Sequence, residues 1–267
     1  MPKTSTTAVP IMENEYVIEL LEILKAHKSP SINDFNAVLG HVAAMEKQLE
    51  AAVSELAAMR RDLAEAEKHN HPIKNTMQKA VIAMQGQVLD LREKLAALKQ
   101  SVIDGCKNAL AAFKEKGISA LDNIARFFKI KPILETIHTG ADKAAQAADR
   151  AVANIEAAST RYHEAELHMK NAGRALKGKE AEQDMKPSGK IAKVFTAPFR
   201  ATRFCFKGIR NNAVAAVGKL NHLEEQAAEQ KQKKPSIYKT MEEHNRQIAE
   251  KERAVPVRDR PVPSTEL

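Results

Sequence analysis

The sequence predicts an all-α protein, an elongated antiparallel helical bundle or coiled coil with disordered termini. The first observation behind this prediction is a rhythm of apolar residues, spaced alternately three and four apart, in three long stretches. That rhythm is typical of a helix that keeps one stripe turned toward a partner helix. The second observation is composition, with 43 Ala, ten Gly, no Trp and 4% aromatic residues among 267. Such a composition favours long helices over strands.

The first rhythmic stretch covers residues 42–66 and follows a short amphipathic helix predicted over residues 13–27. Ser31 and Asp34 are predicted to cap the helix that contains it, with Asp34 in place of the usual Glu or Gln. Its seam is Val42, Met45, Leu49, Ala52, Leu56, Met59, Leu63 and Ala66. A proline inside a helix costs roughly 3 kcal/mol, so we expect the chain to kink or turn back at Pro72.

The second stretch resumes after Pro72 in a shifted phase, which favours a hairpin of two helices over one kinked rod. Its seam is Met77, Val81, Met84, Val88, Leu91, Leu95, Leu98 and Val102. Gly117 is a natural C-terminal stop for this helix. A further short amphipathic helix is predicted over residues 121–130, and Pro132 breaks it.

The third stretch is the longest and the richest in alanine. Its seam is Leu134, Ile137, Ala141, Ala144, Ala148, Ala151, Ile155, Ala158, Tyr162, Ala165, Met169, Ala172 and Leu176. At a rise of 1.5 Å per residue, the three long helices would each be about 55 to 65 Å long. Helices of matched length favour packing as neighbours in one bundle.

The chain is predicted to divide into five parts. These are a disordered leader over residues 1–12, the bundle over 13–177, a linker over 178–189, a basic amphipathic helix over 190–230, and a short charged helix with a disordered Pro-rich tail over 231–267. Residues 185–223 contain no acidic residue, and their basic residues account for the whole net charge of +8. Those basic residues are Lys186, Lys190, Lys193, Arg200, Arg203, Lys207, Arg210 and Lys219.

The basic segment also holds four of the eight phenylalanines, Phe195, Phe199, Phe204 and Phe206, with Pro198 expected near the helix start. One interpretation is a fourth bundle helix, with Phe in the core and Lys and Arg on a solvated face. The other is a cationic surface for an anionic partner, either a membrane interface or the phosphates of nucleic acid without sequence specificity. The sequence leaves both interpretations open.

Residues that suggest catalysis or metal binding do not form a convincing site. His163 and His168 flank Glu164, but five residues turn a helix by roughly 500°, so the two rings point about 140° apart. His69 and His71 offer two ligands where metal sites usually need three or four. Cys106 and Cys205 lie among apolar positions and lack a partner motif. We therefore expect no enzyme activity, no cofactor, no metal and no small-molecule substrate.

The segment ENEYVIELLEILKAHKSPSINDFNAVLGHVAAMEKQLEAAVSELAAMRRDLAEAEKHNHPIKN and the later MQGQVLDLREKLAALKQSVIDGCKNALAAFKEKG resemble an uncharacterised helical family carried on bacterial integrative and conjugative elements. The likeness extends more loosely to the basic helix and to KTMEEHNRQIAEKE. The family brings no known activity and no catalytic motif. The resemblance implies a bacterial accessory protein in the cytoplasm.

From these observations we expect a non-enzymatic coiled-coil protein that acts as an interaction or scaffold module. Its partners would be proteins bound through coiled-coil surfaces, including further copies of the chain. The alternative is an anionic-surface binder that works through residues 186–219. No run of apolar residues in the sequence is long enough to cross a bilayer, and the N-terminus lacks a hydrophobic signal core, which favours a cytoplasmic protein.

Overall fold

The described part of the chain is helical almost throughout, which confirms the all-α prediction. A computed structural model describes residues 9–68, 73–182, 190–233 and 244–246, with the backbone alone described at 190, 191 and 230–233. Its five α-helices are α1 (Glu15–Ala26), α2 (Ile32–Lys68), α3 (Lys74–Lys116), α4 (Lys131–Ala175) and α5 (Lys190–Lys233). Short 3-10 segments cover Ile11–Glu13, Ile118–Leu121 and Ile124–Phe127. The described ranges contain no strand.

The four long helices form an antiparallel bundle in which each packs against two others. The order of neighbours around the bundle is α2, α3, α4, α5 and back to α2. Cross-helix contacts show the antiparallel directions: Glu46 with Lys99, Asp142 with Arg210, Glu156 with Arg200, and Asp34 with Lys219. The contact between Glu46 and Lys99 confirms that α2 and α3 form a hairpin rather than one kinked rod. Pro72 itself lies outside the described residues.

The predicted seams supply most of the core. Every seam residue of α2 is buried apart from Leu63, which is partly buried, and every seam residue of α3 is buried. The α4 seam is buried only as far as Ile155, and Ala158 is partly buried. The basic helix α5 adds Phe199, Phe206 and a stripe of Ile, Leu and Ala to the same core. The basic segment therefore packs as the fourth long helix of the bundle, as one of the two interpretations expected.

The α4 seam is not buried to its end. Tyr162, Met169 and Leu176 are 44%, 74% and 90% exposed. The reason is the length of the neighbouring helix: Asn75, in the first turn of α3, lines the same cleft as Arg161 of α4. Residues of α4 beyond this level therefore run past the start of α3.

Three local predictions also need correction. Residues 118–127 form two 3-10 segments instead of one amphipathic helix, because Asn123 is not helical (φ −127°, ψ 69°) and separates them. Pro198 lies inside α5 rather than near its start. The Thr202 hydroxyl donates to the Pro198 carbonyl at 2.8 Å. Asp34 does not cap α2, because its carboxylate is held by side chains of α5.

The segment before α1 belongs to the fold from Val9 onward, whereas the leader was predicted to be disordered through residue 12. Ile11 is fully buried, and its N–H donates to Glu46 Oε2 at 3.1 Å. Lys99 pairs with the same carboxylate and donates to the Val9 carbonyl at 2.8 Å. The Lys99 side chain is only 8% exposed. One ion pair thus joins α2, α3 and the incoming chain.

No helix in the described ranges is both apolar enough and long enough to cross a membrane. The His244–Arg246 turn is helical and exposed, and the rest of the predicted charged helix and tail lies outside the described residues.

The ion pair between Glu46 and Lys99 provides a test of this arrangement. Lys99→Met should lower the free energy of unfolding by about 3 kcal/mol, because it leaves the Glu46 carboxylate without its cation. The double variant Glu46→Leu, Lys99→Met should recover only part of that loss, because no charge is left unpaired but the buried Ile11 N–H loses its acceptor. Urea unfolding followed by circular dichroism measures both. Lys47→Met, at an exposed position of α2, is the control and should change stability by less than about 0.5 kcal/mol. Equal effects of Lys99→Met and Lys47→Met would contradict the buried pair.

Candidate functional site

The predicted functional surface is the basic segment. Some of its charged side chains pair with acids of neighbouring helices, and others are exposed without an ion pair among the described residues. Three arginines of α5 pair with acids of α4: Arg200 with Glu156 at 2.5 Å, Arg203 with Asp149 at 2.7 Å, and Arg210 with Asp142 at 3.0 Å. The three acids are spaced seven residues apart, as are Arg203 and Arg210. Two antiparallel helices in heptad register bring such positions together beside their shared seam. These arginines therefore help to align α4 with α5.

Lys219 belongs to a second polar cluster, between α5 and the start of α2. Its Nζ donates to Asp34 Oδ1 at 3.0 Å, His222 Nδ1 lies 2.5 Å from Asp34 Oδ2, and Gln226 donates to the same oxygen at 3.2 Å. The Asp34 side chain is 8% exposed. Burial by itself would raise the pKa of Asp34, but the hydrogen bonds from His222 and Lys219 outweigh it and lower that pKa.

Two cations of the segment have no ion-pair partner among the described residues. Lys193 and Lys207 are exposed on α5 and point away from the core. Lys190 lies in α5, but its side chain is not described, and Lys186 lies outside the described residues. The free positive charge of α5 is therefore smaller than the sequence count indicates.

The four phenylalanines also divide between environments. Phe199 and Phe206 are fully buried in the bundle core, and Phe195 is partly buried against it. Phe204 is 78% exposed. Arg200 and Lys207 lie four residues before and three residues after Phe204, on the same face of the helix. Phe204 is thus the one phenylalanine of the segment that is available to a partner.

The candidate metal and thiol residues stay separate in the structure. His163 Nδ1 lies 3.8 Å from the Glu166 carboxylate on the same helix. No group of three or more His, Cys, Asp or Glu placed to hold a metal ion occurs in the described ranges, and His69 and His71 lie outside them. Cys106 is a free, buried thiol whose pKa is raised by burial to about 12. Burial also raises the pKa of Cys205.

Sequence reasoning missed the acidic partners of the basic helix. The signal was present in the heptad spacing of Asp142, Asp149 and Glu156, which matches the spacing of Arg203 and Arg210. The partners of Asp34 carried no such signal, because a single acid near a helix start is also a common capping residue.

Fold and site together define an all-α, antiparallel four-helix bundle protein in which half of the eight predicted binding cations, Arg200, Arg203, Arg210 and Lys219, pair with acids of other helices. The model of a family of unknown function, DUF6674, matches residues 13–261. The chain belongs to this family, which confirms the expected resemblance to an uncharacterised family. A comparison with curated proteins and a comparison with solved structures each found no match.

The Asp34 cluster predicts a specific pH dependence of stability. A carboxylate whose pKa is lower in the folded chain stabilises the fold at pH values above its unfolded pKa, about 3.9. That stabilisation is lost as the pH falls through the lowered, folded value. Asp34→Asn should therefore cost about 1 to 3 kcal/mol at pH 7, and the difference from the parent protein should shrink below about pH 4. Urea unfolding at pH 3 to 7 measures it, and a constant difference across that range would contradict the assignment.

Proposed function

We propose that this protein is a non-enzymatic interaction module that associates with a second copy through the exposed end of α4. The proposal places it in the bacterial cytoplasm as an accessory protein of an integrative or conjugative element. That setting is supported only by the family resemblance of the sequence. The contact surface is supported by the geometry of α4.

The observation that carries the proposal is an apolar seam that stays exposed beyond the level of the first turn of α3. Tyr162, Ala165, Met169, Ala172 and Leu176 keep the spacing of three and four, and all five are exposed. This exposed stripe is roughly 21 Å long at 1.5 Å per residue. Large apolar residues at heptad positions favour burial against another helix.

A second copy of the same helix end fits the residue pattern. Along the stripe, large side chains at one seam position alternate with alanines at the other. In an antiparallel pair of helices, these two positions face each other, so each large side chain would meet an alanine of the partner. The contact would be the same on both copies, which closes the assembly as a dimer.

Self-association is tested by the mass of the full chain in solution, measured by light scattering between roughly 1 and 200 µM, a range that covers micromolar dissociation constants. The parent protein should shift from monomer to dimer over this range. Met169→Glu should remain monomeric, because it places two charges in the apolar contact. Ile82→Glu is the matched control, since Ile82 is 62% exposed on α3, and it should dimerise normally.

A monomer at every concentration would contradict the proposal, as would equal effects of the two variants. Circular dichroism of both variants shows whether the bundle is intact.

A second candidate function, binding to an anionic membrane surface, is favoured by one specific observation on α5. Lys193, Arg200 and Lys207 are seven residues apart, and the exposed Phe204 lies among them. Cations beside an exposed aromatic side chain suit an interface between lipid headgroups and acyl chains. Arg200 pairs with Glu156, so the charge would come from Lys193 and Lys207, which have no ion pair among the described residues.

This candidate is tested by sedimentation with vesicles that contain phosphatidylserine, at low and high salt. Binding should weaken as salt rises, and it should be lost in Lys193→Gln, Lys207→Gln and in Phe204→Ser. The control Arg203→Gln, Arg210→Gln removes the same charge from side chains that face α4, and it should bind normally. Equal loss in the control, or no binding of the parent protein at low salt, would exclude this function.

A further inference from the structure

A cleft between α3 and α4 is lined by three cations. None of the three belongs to the basic helix α5. The cleft has a volume of about 530 Å³ and lies where the first turns of α3 face residues 147–161 of α4. Its charged lining consists of Lys79, Arg150 and Arg161, with no acidic residue. Six alanines and the polar side chains of Asn75, Thr76 and Asn154 complete it.

The charge of this cleft contrasts with that of the other helix contacts. Among the described residues, six cations elsewhere in the bundle reach across to an acid of another helix: Lys99, Lys131, Arg200, Arg203, Arg210 and Lys219. Lys107 of α3 instead lies over the Tyr16 ring of α1, 4.8 Å from its centroid. Lys79, Arg150 and Arg161 have no ion pair with any described residue. The neighbouring Asp149 is engaged by Arg203. Three like charges lining one cleft repel one another, and an anion placed among them would remove that repulsion.

We propose that this cleft binds a small phosphate compound that carries several negative charges and an apolar part, such as a nucleoside polyphosphate. Arginine offers a planar fork of donors that matches phosphate oxygens, and lysine adds a compact charge. The volume lies within the range of small-molecule sites. The alanine floor gives the apolar part a surface, and the two asparagine amides can donate to it or accept from it. The ligand is one that the sequence did not predict, and its binding does not depend on dimerisation.

The test uses the full chain with pyrophosphate and ATP as probes, measured by titration calorimetry at low salt. Both probes should bind, ATP more tightly because its base adds contact with the alanines. Lys79→Gln, Arg150→Gln should weaken binding about tenfold or more, since each position loses a charge-assisted hydrogen bond. Lys47→Gln, Arg92→Gln removes one lysine and one arginine from exposed positions outside the cleft and should bind as the parent does.

Four results would overturn the proposal. They are no binding of either probe, an equal loss in the control variant, loss in Lys193→Gln, Lys207→Gln instead, and binding of duplex DNA or anionic vesicles without binding of the two probes. Circular dichroism of the cleft variant shows that lost affinity does not come from lost structure. Met169→Glu should bind both probes normally, so failure of this proposal and failure of the dimer proposal are distinguishable.

Discussion

The bundle depends on α5 packing between α2 and α4. The long helices α2, α3 and α4 could meet along their seams without it, but the alanine stripe of α4 buries little apolar surface per residue. Phe199 and Phe206 of α5 are among the largest fully buried side chains of the core. Polar contacts then fix the helix in place, with arginines toward α4 and the Asp34 cluster toward α2. The segment that carries the net charge of the chain is therefore also the helix that closes its core.

The periodicity of the sequence predicted the helices well because burial on one side of a helix leaves a direct mark at every third or fourth residue. The seams of α2 and α3, the hairpin between them and the stop at Gly117 all follow from such local patterns. The two 3-10 segments after Gly117 do not, because their apolar residues also fit an amphipathic helix. Just after these segments the chain packs tightly on α3, since a Cβ on Gly105 would lie 2.5 Å from Phe128 Cδ1. The leader was misjudged for the same reason, since nothing in its own residues reveals Glu46 and Lys99.

The candidate site was harder to predict than the fold, because charge can be counted in a sequence while its neutralisation depends on tertiary contacts. Asp142 and Arg210 are far apart in sequence and adjacent in the bundle. The absence of acids from the basic segment left a bundle helix and a free cationic surface both open, and the structure places acids of other helices against half of its cations. The cleft between α3 and α4 is the converse case. Lys79, Arg150 and Arg161 lie in segments of mixed charge, so no local excess marks them.

The alanines of α4 connect the two surfaces for which binding is proposed. A heptad seam indicates that a helix packs against a partner helix. How much of the seam is covered within the bundle depends on where the neighbouring helices begin and end. Within the bundle, alanines at 151 and 158 are too small to fill the space beside the start of α3, which leaves a cleft with an apolar floor. Beyond residue 161, the same seam passes the start of α3 and becomes exposed. One alanine-rich stripe thus leaves room for a ligand beside α3 and for a helix at the end of α4.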